Sequence, residues 1–221
     1  MSPNAAKTSE RRSHEERSRT MRERLVKATI ENLAEEGYAA TTLSGVVRRA
    51  GVSRGAQVHH YASKNELILD AAIFFLRHTY RHLGEVLLNI ADEEDRLRAM
   101  VFAAWEEIYG KPSANAFIEL IMASQYEKNL ANSVRQLNHK IADAMVGPIN
   151  HYFESRDSTS ETPITMFRGL IVYMSGLACS RVIMTNDEIK AGIEYYCRLM
   201  KQHLRARKGV LTPPPVPQLF E

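Results

Sequence analysis

Apolar positions along this chain recur at intervals of three and four, and no stretch alternates residue by residue, so the pattern predicts helices throughout and no sheet. Leu25, Ala28, Ile30 and Leu33 define one face of a first helix from about Glu15 to Glu36, which Gly37 ends. Leu43, Val46, Val47 and Ala50 define a second, capped by Thr41 or Thr42. A third spans about Arg54 to His60, and a long fourth runs from Lys64 to about Ile90. Beyond the acidic turn at 92–95, helices are predicted near 95–110, 113–128, 130–154, 163–185 and 187–207, punctuated by Pro112, Pro148 and the loop at 157–163. Thr162-Pro163 supplies a cap with proline in the first turn, and Asn186, or Thr185 with Glu188, caps the last helix. Residues 1–14 show no apolar period and are predicted to be a disordered arm. From Gly209, Pro213-Pro214-Pro215-Val216-Pro217 predicts an extended, mobile, inert tail. The expected architecture is all-α: a three-helix domain at 15–64, a larger helical bundle at 65–208 and the proline-rich tail at 209–221.

The pivot is Ala50-Gly51-Val52-Ser53. Gly51 can take the positive φ that ends one helix, Val52 can pack inward, and Ser53 can cap the next. Two helices joined by so short a glycine turn follow the helix-turn-helix plan, whose second helix enters the major groove of DNA. Taken alone, the turn is more often an ordinary αα-corner. Ten residues on, Ser63-Lys64-Asn65-Glu66 forms a capping box ahead of Leu67, Ile68 and Leu69. Charge adds to the picture. The net charge is +3, yet residues 1–64 carry 12 Lys/Arg against 7 Asp/Glu, so basic charge gathers where phosphate attraction would need it.

As a unit, Gly37-Tyr38, Thr41-Thr42, Ala50-Gly51-Val52-Ser53, Gly55, His60-Tyr61 and Ser63-Lys64-x-Glu66-Leu67 resemble the DNA-binding domain of the tetracycline-repressor (TetR) family of bacterial transcription regulators. The resemblance covers about residues 20–70. It implies a recognition helix in which Ser53, Arg54, Ala56, Gln57, His59 and His60 face DNA, with Thr42, Tyr61 and Lys64 at phosphate-holding positions, though the position of Tyr61 is often taken in the family by a packing Phe. Arg54 suits guanine and Gln57 adenine. The family's usual Leu-Tyr pair is replaced here by Gln57-Val58, which puts the tyrosine's phosphate contact in doubt. Arg17, Arg19, Arg22 and Arg24 are further phosphate or minor-groove candidates, or a solvated charge run.

For the larger domain the resemblance implies a small-molecule pocket and a homodimer formed through the last two helices. Trp105, Tyr109, Phe117, Met122, Tyr126, Tyr173 and Met174 are the pocket candidates, with an ordinary core as the alternative. Small residues Gly169, Gly176, Ala178 and Ser180 permit close helix approach, within or between chains. The implied function is a repressor that binds a palindromic duplex DNA operator as a dimer and is released by a small apolar or amphipathic effector. Rival readings are a sequence-tolerant architectural DNA binder and a helical ligand- or metal-binding enzyme.

Catalytic motifs are lacking: the sequence has no G-x-G-x-x-G, P-loop, H-E-x-x-H or G-x-S-x-G. The reading is therefore not an enzyme, with no cofactor and no metal. His78, His82 and Glu85 share a helix face but read as its solvated side. Cys179 and Cys197, the only cysteines, read as buried structural residues in a reducing compartment. With no apolar run of membrane length and no secretory leader, the expected location is cytoplasmic.

Overall fold

The computed structural model describes residues 3–90 and 93–220, with side chains for these except 3–15, 56–58, 93 and 94. Helices follow one another as α1 (Pro3–Ala40), α2 (Leu43–Ala50), α3 (Arg54–His60), α4 (Lys64–Leu88), α5 (Glu93–Ala104), α6 (Ala114–Ser124), α7 (Lys128–Tyr152), α8 (Pro163–Ser180) and α9 (Asn186–His203). The all-α architecture expected from the apolar period is thus the one observed. Among the described residues no helix is long and apolar enough to cross a membrane.

The first helix starts at Pro3, not near Glu15, so a disordered arm at residues 1–14 is not what the backbone shows from Pro3 onward. Proline suits a first turn, and the Ala, Lys, Glu and Arg that follow are strong helix formers with no further breaker before Gly37. Apolar periodicity missed this stretch because it reports a buried face rather than helix propensity. At Gly37 the backbone turns to φ +77, interrupting the helix before its last residues.

Around α1 the small N-terminal unit closes on one core: Leu25, Val26 and Ala28 meet Val46 and Ala50 of α2, Tyr61, and Leu67 and Ala71 of α4. The larger unit is built on a second core, shared by α5, α7, α8 and α9 and including Val101, Ile149, Phe167, Met174, Ile193 and Met200. Helix α4, about 37 Å long at 1.5 Å per residue, belongs to both. A third cluster joins the units, packing Leu33 and Tyr38 with Ile68 against Ala116 and Leu120 of α6 and Leu130 of α7.

Three features depart from the sequence pattern. First, α5 ends in a π-helical turn at Trp105–Tyr109, where the Gly110 N–H reaches back to the Trp105 carbonyl at 2.7 Å. Second, two short strands, β1 (Phe153–Ser155) and β2 (Leu204–Ala206), pair antiparallel and tie the end of α7 to the end of α9. Strands of three residues carry too little sequence to show alternation. Third, the tail is packed rather than free. Arg96 donates to the Val210 carbonyl at 3.2 Å, His151 meets the Thr212 carbonyl at 2.7 Å, Pro214 is buried, and Phe220 is 1% exposed. Proline removes entropy from the free chain, so docking costs such a tail little.

Glycines in the last two helices resolve the question of close approach. A Cβ at Gly169 would collide with the Tyr196 hydroxyl, and one at Gly192 would lie 2.8 Å from the Tyr173 hydroxyl. The two tyrosine rings stack between them at 4.8 Å. These glycines serve packing within the chain, whereas Gly176 faces open space.

Candidate DNA interface and regulatory site

The turn between α2 and α3 is fixed by backbone geometry. Thr42, exposed, caps α2 by accepting from the Gly45 N–H at 3.1 Å. At the other end Gly51 sits at φ +61, ψ +41, and the Val52 N–H closes on the Val47 carbonyl at 3.2 Å. The left-handed region suits glycine alone at little cost. The Gly51 carbonyl in turn accepts from Arg24 Nη2 at 3.1 Å. The turn is therefore held on both sides, and α3 leaves it with Ser53, Arg54 and His59 on the exposed surface and His60 half-buried. The side chains of Ala56 and Gln57 lie outside the described residues, as does that of Val58.

Tyr61 is corrected by the structure. It is 4% exposed within the N-terminal core, and its hydroxyl donates to Asp70 of α4. Burial pushes its pKa up, and the Asp70 contact adds to this. A side chain so placed packs behind the recognition helix, away from its exposed surface. Arg22 Nε donates to the same carboxylate at 2.7 Å. Burial alone would raise the Asp70 carboxyl, but Arg22, Tyr61 and the charge of Arg77 together hold it below the ordinary range.

The other basic candidates divide likewise. Lys64 Nζ donates to the Tyr38 carbonyl at 2.6 Å and lies 3.8 Å from the centre of that ring, so its charge is turned toward the interdomain corner rather than the DNA-facing surface. Burial lowers its pKa. Arg22 and Arg24 are likewise engaged within the fold, whereas Arg17 and Arg19 are exposed on α1. Arg48, which the motif does not single out, is exposed in the last turn of α2, while its neighbour Arg49 is bound to Glu35 at 2.7 Å. Two adjacent arginines carry the same sequence signal; only the fold separates them.

The pocket candidates do not converge. Met174 is fully buried in the larger core, with Trp105, Tyr109 and Tyr173 packed against that core. Burial pushes the Tyr109 hydroxyl up to about 12. Phe117 packs on Phe75 of α4, 4.9 Å between ring centres. Met122 and Tyr126, in contrast, are 47% and 84% exposed at the end of α6, which removes them from an enclosed pocket. Two cavities among the described residues, of about 390 and 510 Å³, have none of these side chains in their walls. Cys197 is buried as expected, but Cys179 is exposed on α8.

The profile of the bacterial regulatory proteins of the tetR family matches residues 25–71, the segment from the α1 core positions through the turn into α4. Along more of its length the chain is similar to the HTH-type transcriptional regulator CymR of Pseudomonas putida, with 27% identity over 169 residues, covering 73% of this chain and 83% of that protein. It is also similar to the HTH-type transcriptional regulator BetI of Yersinia pestis, 35% identical over 85 residues, covering 36% of this chain and 41% of that one. Its fold matches a TetR transcription regulator from Haloarcula marismortui with TM-score 0.63 at 18% identity, over 84% of this chain and 98% of that one. The reduced form of Escherichia coli NemR gives TM-score 0.61 at 16% identity, over 85% and 99%. The tetR-family profile over the helix-turn-helix and the similarity to CymR along most of the chain together support a DNA-binding transcriptional regulator of the TetR type.

Proposed function

We propose that the chain acts as a homodimeric repressor that reads a palindromic operator and leaves it when a small apolar or amphipathic molecule binds the larger domain. The observation that carries the DNA half is the pinned turn at Gly51, which presents Arg54 and His59 of α3 outward while Tyr61 anchors the helix from behind. An exposed arginine at the start of a recognition helix suits bidentate contact with guanine O6 and N7. The dimer is supported by outward apolar side chains, Ile171 and Val172 on α8 near the open side of Gly176, Val182 in the turn that follows, and Tyr195 on α9. Release is a population shift: a ligand favours an arrangement whose two recognition helices no longer match major grooves about 34–36 Å apart. A coupling of about 1–3 kcal/mol makes a usable switch.

Selection from a pool of randomised duplexes at near-physiological salt tests this. Enrichment of a palindrome with half-sites about one helical turn apart is expected. Retention with no enriched motif refutes a specific operator and favours an architectural role. The same selection with Gln57→Ala should relax one base position if Gln57 reads it.

A further inference from the structure

The proline-rich tail ends in a side chain that occupies a place in the bundle. Phe220 is buried, with its ring centre 5.1 Å from that of Tyr80 on α4. The turn that carries it packs on both α4 and α7, and its own N–H closes on the Pro217 carbonyl at 2.7 Å. The hydroxyls of Tyr80 and of Tyr152 on α7 are both buried, and among the described residues neither has a hydrogen-bond partner. Tyr152 is 3% exposed on α7, against which the turn carrying Phe220 also packs. Arg96 of α5 is 2% exposed, with its guanidinium carbon 5.9 Å from the centre of the Tyr152 ring. Its terminal nitrogens go to tail and turn carbonyls, and among the described residues its Nε has no acceptor.

Buried polar groups are nearly always satisfied, and each exception needs a reason. Here three groups from the helices around the tail's end, α4, α5 and α7, can all donate: two phenols and a cation. An acceptor with two oxygens and a negative charge answers all three. Beside them is a slot of the right shape for a phenyl ring, because one is already in it. A cleft of about 510 Å³ between α7 and Pro214–Pro217 runs alongside the tail in this stretch.

We propose that the slot between α4, α5 and α7 is a binding site for a small aromatic carboxylate, and that Phe220 is its built-in competitor. The ligand's ring takes the place of Phe220 against Tyr80. Its carboxylate accepts from the Tyr80 and Tyr152 hydroxyls and faces Arg96. Entry requires the tail to leave, so the exchange alters packing on α4, the helix that also carries Asp70 and its bonds to Tyr61 and Arg22. The site itself stands independently; its use as a switch rests on the effector reading above.

The test uses 3-phenylpropionate as the probe and 3-phenylpropanol as the neutral comparator, by titration calorimetry on the full chain and on one ending at Pro213. If the tail fills the slot nine-tenths of the time, its removal tightens binding about tenfold. In the shortened chain, Tyr152→Phe weakens the acid about tenfold, the scale of one hydrogen bond to a charged group, and leaves the alcohol nearly unchanged. A peptide spanning residues 213–221 added in trans competes with the probe. Equal affinity with and without the tail, or an unchanged affinity after Tyr152→Phe, overturns the proposal, as does absence of binding to every form. Should the shortened chain fail to fold by circular dichroism, Phe220→Ala and Tyr152→Phe in the full chain decide by the same criteria. Operator affinity is followed in parallel by fluorescence anisotropy. Probe binding that leaves it unchanged supports the site while refuting release of DNA through it.

Discussion

Tyr61 shows what a single residue can and cannot reveal. An amphipathic ring beside a recognition helix suits a phosphate contact or, more often, a packed support, and the position of Asp70, nine residues on, favours the support. Tyr61→Phe should therefore cost about 1.5–3 kcal/mol, as for a buried hydrogen bond to a charged group, measured by urea unfolding. It should leave the salt slope of DNA binding unchanged, whereas loss of a phosphate contact reduces that slope by about 1. Asp70 gives a pH signature. Its carboxyl is depressed in the folded state, so its contribution is complete above the unfolded value of about 3.9 and disappears as pH falls through the lowered folded value. Asp70→Asn should accordingly destabilise the protein at pH 7, with the difference from the parent closing below about pH 4, followed by thermal melts across pH. Among the basic residues, charge alone separated nothing: Arg48 and Arg49, or Arg19 and Arg22, differ only in which carboxylates the fold brings to them.

Elements were legible where their ends are chemical. Thr42, Ser63, Thr162 and Thr185 each cap the helix expected of them, Thr185 through a full reciprocal box with Glu188. These signals are local, so sequence carries them. The strand pair at Phe153 and Leu204 and the docking of the tail depend on segments far apart in the chain, and no local pattern announces such meetings. The π-helical turn is hidden for a related reason, since one residue's shift in hydrogen bonding leaves the apolar period almost intact. Gly51 is the element-scale test. Alanine there must hold φ +61 and place its Cβ 3.0 Å from Arg24 Nη2. Gly51→Ala should cost about 1–2 kcal/mol in chemical denaturation and weaken operator binding, because both helices of the DNA-binding pair start or end at that turn.

At the scale of the whole molecule, α8 divides its faces between two tasks. Phe167, Leu170, Met174 and Leu177 look into the core, while Ile171 and Val172 look outward. Val172→Glu should dissociate the proposed dimer in sedimentation velocity while leaving helicity by circular dichroism intact, and an operator that needs two recognition helices should then be bound far more weakly. A persistent dimer would place the interface elsewhere.

The corner at Tyr38 has a mechanical consequence. Its N–H donates to Glu119 and its hydroxyl lies 3.1 Å from both Asn65 and Glu127, while its carbonyl accepts from Lys64. One residue thus fastens the reading head to two helices of the bundle at several points. A joint so held works as a detent rather than a swivel: small thermal excursions return to the same seat, and leaving it requires several bonds to let go together. The head should change orientation in a step, giving the DNA-bound and released settings distinct stops with little drift between them.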